Sequence, residues 1–506
     1  MLLGATARLD AASYYVSPSG TASWPACTNI ATPCSAVTAF ASAVAGDTVY
    51  FRGGTYTQTV QYADDSVGVP TPAYAPAHSG TPDAWITFMG YPGEVPIING
   101  YVPLTPDGSD FARYNGTYPS NGTVCLSARH QSYIIFDGFT YYANGGDRLG
   151  VGKVSSWGGD HIIFRNLTSR GGALLPYLRT TSSYDNTESV RIEASSHVTV
   201  TNSRFDGPRV QFDDRTVING VTVSPANIEN YNVAAIKLYG NNFVTLDHLE
   251  IENATTAIFP KSHHNNDITI TNNFIHDSFR GILVMFMISN DYASSDRGLI
   301  ANNVIANIAY GGTLISFDNS NSDVHGDDWT IANNTLYCSS LKNAATGFSH
   351  AEAGHGLKYY NNIVHVNTAY VYGLLTGQYV DPSKGIAPRL AAEDHNQWGP
   401  NRVGFEIGRN GLSAYRTRYS TIAAWQASTS LDGGGHPGAG DLASDPQFAN
   451  VSGTLKEVAD FALKLTSPCK GAGRNGADMG ADVANVGYRD PAQAVPRPGT
   501  PIVKMP

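Results

Sequence analysis

Little of this 506-residue chain is charged: Asp, Glu, Lys and Arg make up 15% of it, with a formal net charge of −10. No basic stripe can be drawn from so few cations, which argues against nucleic acid as a partner, because phosphate binding draws on clustered Lys and Arg. No apolar run approaches the length that spans a bilayer, so no membrane partner is expected. Five cysteines are too few for a disulfide framework in a chain this long. A local bridge is open to Cys27 and Cys34, while Cys125, Cys338 and Cys469 are expected as buried thiols. There is no HExxH and no paired CxxC, so a zinc site has no motif to rest on. Outside Ala36–Val44 no helical periodicity of useful length occurs, which excludes a helical solenoid. The opening MLLGATARL is too short for a full signal peptide.

What the chain has is a repeat. ITITNNFIH (268–276), GLIANNVIAN (298–307), WTIANNTLYC (329–338) and LKYYNNIVHV (357–366) each run a short β-branched strand into an Asn pair and a second apolar pair. The frame extends backwards through 244–252, 198–206, 162–170 and 134–142, registering on Gly138, Asn166, Asn202, His248, Asn272, Asn302, Asn333 and Asn361. Variable spacing between fixed phrases is the mark of solenoid turns with loops of unequal length. Period-two alternation places Ile268 and Ile270 inward, and a strand that cannot bury its face alone must stack on its copies. The fold expected is all-β: a single-stranded right-handed parallel β-helix, with Asn272, Asn302, Asn333 and Asn361 as an interior hydrogen-bonded ladder. One domain is expected over 1–506: an N-terminal helical cap and first strand (1–60), a loop-rich opening coil (61–125), regular coils (126–370), and C-terminal coils with long loops (371–506).

These phrases, with GDTVYFRGGTY (46–56) after a short amphipathic segment and the closing ASDPQFAN (443–450) and DFALKLTSPCKGAG (460–473), resemble the pectate-lyase-like superfamily of secreted parallel β-helix proteins. The resemblance implies a secreted or periplasmic, monomeric enzyme acting on an acidic polysaccharide. It does not by itself specify a reaction.

The chemistry is sought on outward lanes. In AAIKLYG (234–240), TAIFPKS (256–262) and RGILVMF (280–286), Lys237 and Lys261 fall on the outward parity and Arg280 stands at a turn, a basic cluster in an acidic chain. β-Elimination on a uronic acid polymer needs a neutralised carboxylate, a base for the C5 proton and an acid for the glycosidic oxygen. A crowded Lys can be that base, because neighbouring charge and burial lower its pKa. IFPKSHHNNDITITNNFIHDSFRG (258–281) is similar to the Lys-Ser…Arg pattern of the family of chondroitinase B and alginate lyases, which implies Lys261 as base and Arg280 as acid or charge neutraliser. That family's Glu-x-Glu calcium pair lies five residues before the Lys, whereas Glu250 and Glu252 lie nine before Lys261. Those two with Asp206 are the expected calcium ligands. Lys237, His263, His264, Trp398 and Arg402 are expected to bind substrate, with the 395–420 stretch as a wall of the cleft. Each of these has a plainer reading as solvated surface or a local ion pair. Two other classes stay open: a glycoside hydrolase using Asp318, Asp323, Asp327, Asp328 or Glu352, and a non-catalytic binder stacking sugars on Tyr310, Trp329, Tyr359 and Trp398.

Overall fold

The computed structural model describes residues 12–58, 74–100, 123–143, 152–169, 187–207, 233–261, 264–286, 295–308, 327–338, 356–366, 390–399, 417–431, 434–450 and 457–490, with short strand segments between them. The β-branched phrases form strands that pair in parallel at the same phase: Thr269–Thr271 on Leu299–Ala301, then Thr330–Ala332, then Leu357–Tyr360. Each coil carries a first face, a corner, a second face and, after a turn, a third. The long strands Ser196–Asp206 and Asn242–Glu252 run through the corner and join the first two faces into one sheet. The third face is a separate sheet from Thr123–Ser127 to Phe405–Ile407, parallel except for its terminal strand Thr417–Tyr419. Ile162, Val198, Val244, Ile268 and Ile300 fill the core from the first face, and Val190, Ile236, Ile258 and Ile282 meet them from the third.

The corner corrects the ladder by one residue. Gly138, Asn166, Asn202, His248, Asn272, Asn302, Asn333 and Asn361 do share one corner, and all have φ between 45° and 75°. Asn is frequent there because it tolerates the left-handed conformation that the bend needs. The interior ladder belongs to the second Asn of each pair. Asn273 Nδ2 donates to Asn303 Oδ1 at 2.9 Å, and the relay continues through Asn334 and Asn362 to Asn396. Each Oδ1 also accepts a backbone N–H of the neighbouring coil, as Asn334 Oδ1 does from Asn303 N at 3.1 Å. Asn334→Ala is therefore expected to strand two buried donors and cost about 2–4 kcal/mol, read as a fall in the denaturant midpoint; Asn333→Gly, at the outer position, should cost far less.

The second apolar pair of each phrase also acquires a meaning. Ile275, Ile305, Leu336 and Val364 point into the main core, whereas Phe274, Val304 and Ile363 face outward and are covered by Phe448, Phe461, Met479 and Val486 from the C-terminal segment. That segment does not add closing coils, as the phrases at 443–450 and 460–473 suggested. It runs back along the corner: Arg474 N donates to Asn361 Oδ1, Asp482 N to Asn302 Oδ1 and Arg489 N to Asn202 Oδ1. Cys27 and Cys34 are buried free thiols here, with burial and the neighbouring Cys27 thiol pushing Cys34 up to about 12.

The stack ends on buried acids. Asn396, last in the ladder, donates Nδ2 to Glu393 Oε1 and its backbone N–H to Asp441 Oδ1. Trp425 Nε1 donates to Glu393 at 2.6 Å and Trp398 Nε1 to Asp441 at 2.7 Å. Burial first, then the Asp441 charge, pushes the Glu393 carboxyl well above the carboxylate range; burial lifts Asp441 to about 6. A folded-state pKa above the unfolded one means stability held at low pH and lost as pH rises through the folded value. The unfolding midpoint should therefore fall as pH rises from about 4 through about 6, on the order of 1.4 kcal/mol for each tenfold difference in proton affinity between the folded and unfolded chain. Glu393→Gln starts lower, because its amide meets the Trp425 N–H, but its midpoint should fall less over that window, with Asp441 alone left to lose its proton. A wild-type midpoint that stays level would refute the acid pair.

Candidate functional site

Charged side chains gather on the third sheet. The register Ser155–Arg191–Lys237–Phe259 is continuous across four coils. Lys237 is fully buried, and its Nζ lies 3.2 Å from Glu188 Oε2. Glu188, also fully buried, meets Lys153 Nζ at 3.3 Å and Arg191 Nη1 at 3.6 Å. Arg191 further pairs with Glu193 at 2.5 Å, and its guanidinium lies over the rings of Trp157 at 5.5 Å and Tyr239 at 5.1 Å. Burial opposes the Glu188 charge, but Lys237, Lys153 and Arg191 together hold its carboxyl below the ordinary value. Burial pulls Lys237 down to about 7 against the attraction of Glu188.

Lys261 stands at the edge of this cluster. It follows the strand Thr256–Pro260, and its backbone N–H donates to Leu238 O, which places it beside Tyr239. Its Nζ is 6.0 Å from the Tyr239 ring and 5.8 Å from the Phe259 ring, within cation–π reach. The side chain is half-buried, and burial, with Arg191 assisting and Glu188 opposing, lowers its pKa to about 8. It is thus an amine that is still mostly protonated at neutral pH, becomes neutral as pH rises through about 8, and is partly open to solvent.

Arg280 does not join it. Arg280 pairs with Thr256 at the start of its strand, while Lys261 follows the end of the neighbouring one. Five residues of register at about 3.3 Å each separate them by roughly 16 Å along the sheet. The expected three-cation cluster is corrected accordingly: Lys237 is locked in a buried ion pair and Arg280 lies at the other end. Lys153, Glu188 and Arg191 were missed. The signal lay in carrying the AAIKLYG alignment two coils upstream, where TESVRIE and VGKVSSW put charges inside strands of the same lane.

Asp206, Glu252 and His276 do share one lane, with Arg204, Glu250 and Phe274 on the next. They lie on the second face, apart from the lysines. Arg204 Nη2 holds Glu250 at 2.9 Å, Asn253 donates to Asp206 at 3.0 Å, and the Arg204 guanidinium lies 5.6 Å from the Tyr488 ring of the C-terminal segment. Burial opposes protonation of His276, but Asp277, Glu250 and Glu252 raise it to about 9. Among the described residues, the ligand atoms of Asp206, Glu250 and Glu252 do not all come within 4.8 Å of one another.

Trp398 is 1% exposed and bonded to Asp441, so it closes the core and is not a sugar platform. Trp329 and Tyr359 are buried too, which removes three of the four stacking aromatics. Of the 395–420 stretch, Gln397–Trp398, Phe405–Ile407 and Thr417–Tyr419 are strands of the last coil and the antiparallel edge, and residues 400–404 and 408–416, which the cleft wall would need, lie outside the described residues. His264 is exposed on the loop after Lys261. His263 and Arg402, with Asp323, Glu352 and Tyr310, lie outside the described residues. Asp318 pairs with Met285, and extending the Ile258–Ile282 register by three residues sets Asp318 two coils beyond Lys261 on one lane.

No helix among the described residues is long and apolar enough to cross a membrane. No family model matches the sequence. Among solved structures, pectate lyase Pel9A is similar at 15% identity, covering 93% of this chain and 96% of its own, with a TM-score of 0.51. A rhamnogalacturonan lyase aligns at 14% identity over 73% of this chain and 88% of its own, with a TM-score of 0.41. An exopolygalacturonase from Thermotoga maritima aligns at 9% over 75% and 84%, with a TM-score of 0.38. The last two superpose too loosely to carry an argument, and the first shows a shared architecture and no more. By its coils, its corner and that likeness, the chain has a right-handed parallel β-helix fold similar to that of pectate lyase Pel9A.

Proposed function

We propose that this protein degrades an acidic polysaccharide as a lyase, with Lys261 as the base of a β-elimination. The observation that carries the reading is a half-exposed amine, lowered to about 8, on the rim of a buried set of three cations and two carboxylates. Neutral Lys261 takes the C5 proton of a uronate; the electron pair forms the C4–C5 double bond and expels the glycosidic oxygen, which takes a proton from water. Arg191, whose guanidinium stays charged, lies over the same Tyr239 ring as Lys261 and favours the substrate carboxylate and the negative charge that builds up on it. Arg280 has no part in the step at its distance along the sheet.

The test is a panel of pectate, alginate and glycosaminoglycan, read for unsaturated product near about 235 nm and for new reducing ends. Absorbance with reducing ends supports elimination. Reducing ends alone favour the second reading, a hydrolase, for which Asp318 on the Lys261 lane is the observation. Repeating the assay after exhaustive chelation tests calcium: a site confined to the third sheet predicts activity retained, whereas loss restored by calcium would return Asp206, Glu250 and Glu252 to the mechanism.

A further inference from the structure

A second constellation lies on the corner between the third and first faces. The residues there share the left-handed conformation, with φ of 59° at Tyr133, 56° at His161, 53° at His197 and 55° at Phe243. Their rings stack coil on coil: Tyr133 on His161 at 4.7 Å, His161 on His197 at 4.4 Å, His197 on Phe243 at 4.8 Å. Aromatic stacking would explain any four rings here. It does not explain why the middle two are imidazoles that both aim Nδ1 at one carboxylate.

Asp160, which pairs with Ser196 across the coils, sets Oδ2 at 2.9 Å from His161 Nδ1 and Oδ1 at 3.0 Å from His197 Nδ1. The three ligand atoms all lie within 4.8 Å of one another, and this is the one such trio among the described residues. His161 Nδ1 is buried and makes no hydrogen bond despite its distance from Asp160. A nitrogen in that state is stabilised either by a proton it can donate in line, which the geometry denies it, or by a cation on its lone pair. No lysine or arginine among the described residues pairs with Asp160.

We propose that Asp160, His161 and His197 form a binding site for a divalent transition-metal ion such as zinc, which clamps two successive coils at this corner. Two imidazoles and one carboxylate suit zinc, nickel or copper better than calcium or magnesium, whose preferred donors are all oxygen. The rings are 17° from parallel, so a modest turn of each about its Cβ–Cγ bond brings both lone pairs to one ion. Half-exposed side chains can make that turn, and solvent completes the shell. The site shares no residue with the Lys261 cluster, and its failure would leave the proposed function untouched.

The experiment is calorimetric titration of the full chain, stripped by chelator, with zinc chloride and separately with calcium chloride. One zinc equivalent should bind, with no matching calcium heat. Asp160→Asn, which keeps the stack and the shape, should weaken the zinc affinity at least about 10-fold, in line with the loss of one ligand. His161→Phe with His197→Phe, which keeps a stacked ladder, should abolish that equivalent and the zinc-dependent rise in melting temperature. Absence of zinc binding, or a zinc equivalent that survives unchanged in the double variant, would overturn the proposal.

Discussion

Lys261→Ala is expected to lower the rate of unsaturated-product formation by at least about 10²-fold while leaving the fold in place. A half-exposed lysine contributes little to the core, so the denaturant midpoint should move by less than about 1 kcal/mol. The contrast between rate and stability is what a catalytic role requires. Lys261→Arg sharpens it: the charge is retained, but a guanidinium does not deprotonate, so the variant should remain as inactive as alanine. In the wild type the base works only after losing its proton, so the rate should climb with pH and level off above about 8. Near-normal turnover in Lys261→Ala beside an inactive Asp318→Ala would replace elimination with hydrolysis.

Much of the scaffold was legible because a stacked coil repeats its constraints. The positions that register the phrases, from Gly138 to Asn361, are the ones that take positive φ, and a bend of fixed geometry demands the same few residue types at every turn. The pair itself was ambiguous. Both Asn side chains can serve a corner, and only the chain path decides that Asn273, Asn303, Asn334 and Asn362 point inward while their predecessors take the strained conformation. Phe274 and Ile275 posed the same problem: consecutive apolar residues on a strand must face opposite sides, and the cover for the outer one comes from residues some 170 or more positions later. No local pattern announces such a partner.

The site was half-legible. Parity placed Lys237 and Lys261 outward correctly, since alternation is a local property of a strand. It could not say that Lys237 would be sealed by Glu188, because Glu188 lies 49 residues upstream and on the other inside–outside phase from Arg191. Nor could it say that Arg280 begins its strand where Lys261 follows the end of another, since both sat near turns in the alignment. Charges inside strands were the usable clue. A carboxylate and an arginine three apart in TESVRIE are costly to bury singly, and the cost falls only when neighbouring coils supply counter-charges, as Lys153 and Lys237 do.

Glu188 accordingly carries the largest expected effect on stability. Its loss leaves Lys153, Lys237 and Arg191 crowded together without the carboxylate that separates them. Removing one partner from a buried ion pair costs about 3–5 kcal/mol, and Glu188→Ala should reach that range in denaturant unfolding. Glu188→Gln keeps the shape and some of the hydrogen bonding, and should fall by less. The sign with pH follows from the lowered carboxyl: this contribution is present above the ordinary Glu range and disappears as pH falls through the folded value. The wild type should therefore lose an acid-labile increment that Glu188→Gln lacks. The variant also separates a structural role from a catalytic one. Glu188 raises the Lys261 pKa, so its neutralisation should lower that pKa further, and the activity of the folded Gln variant should begin to rise at a lower pH than in the wild type. A pH–rate profile that does not move, in a variant still folded by circular dichroism, would mean that Lys261 is not the group whose proton controls the reaction.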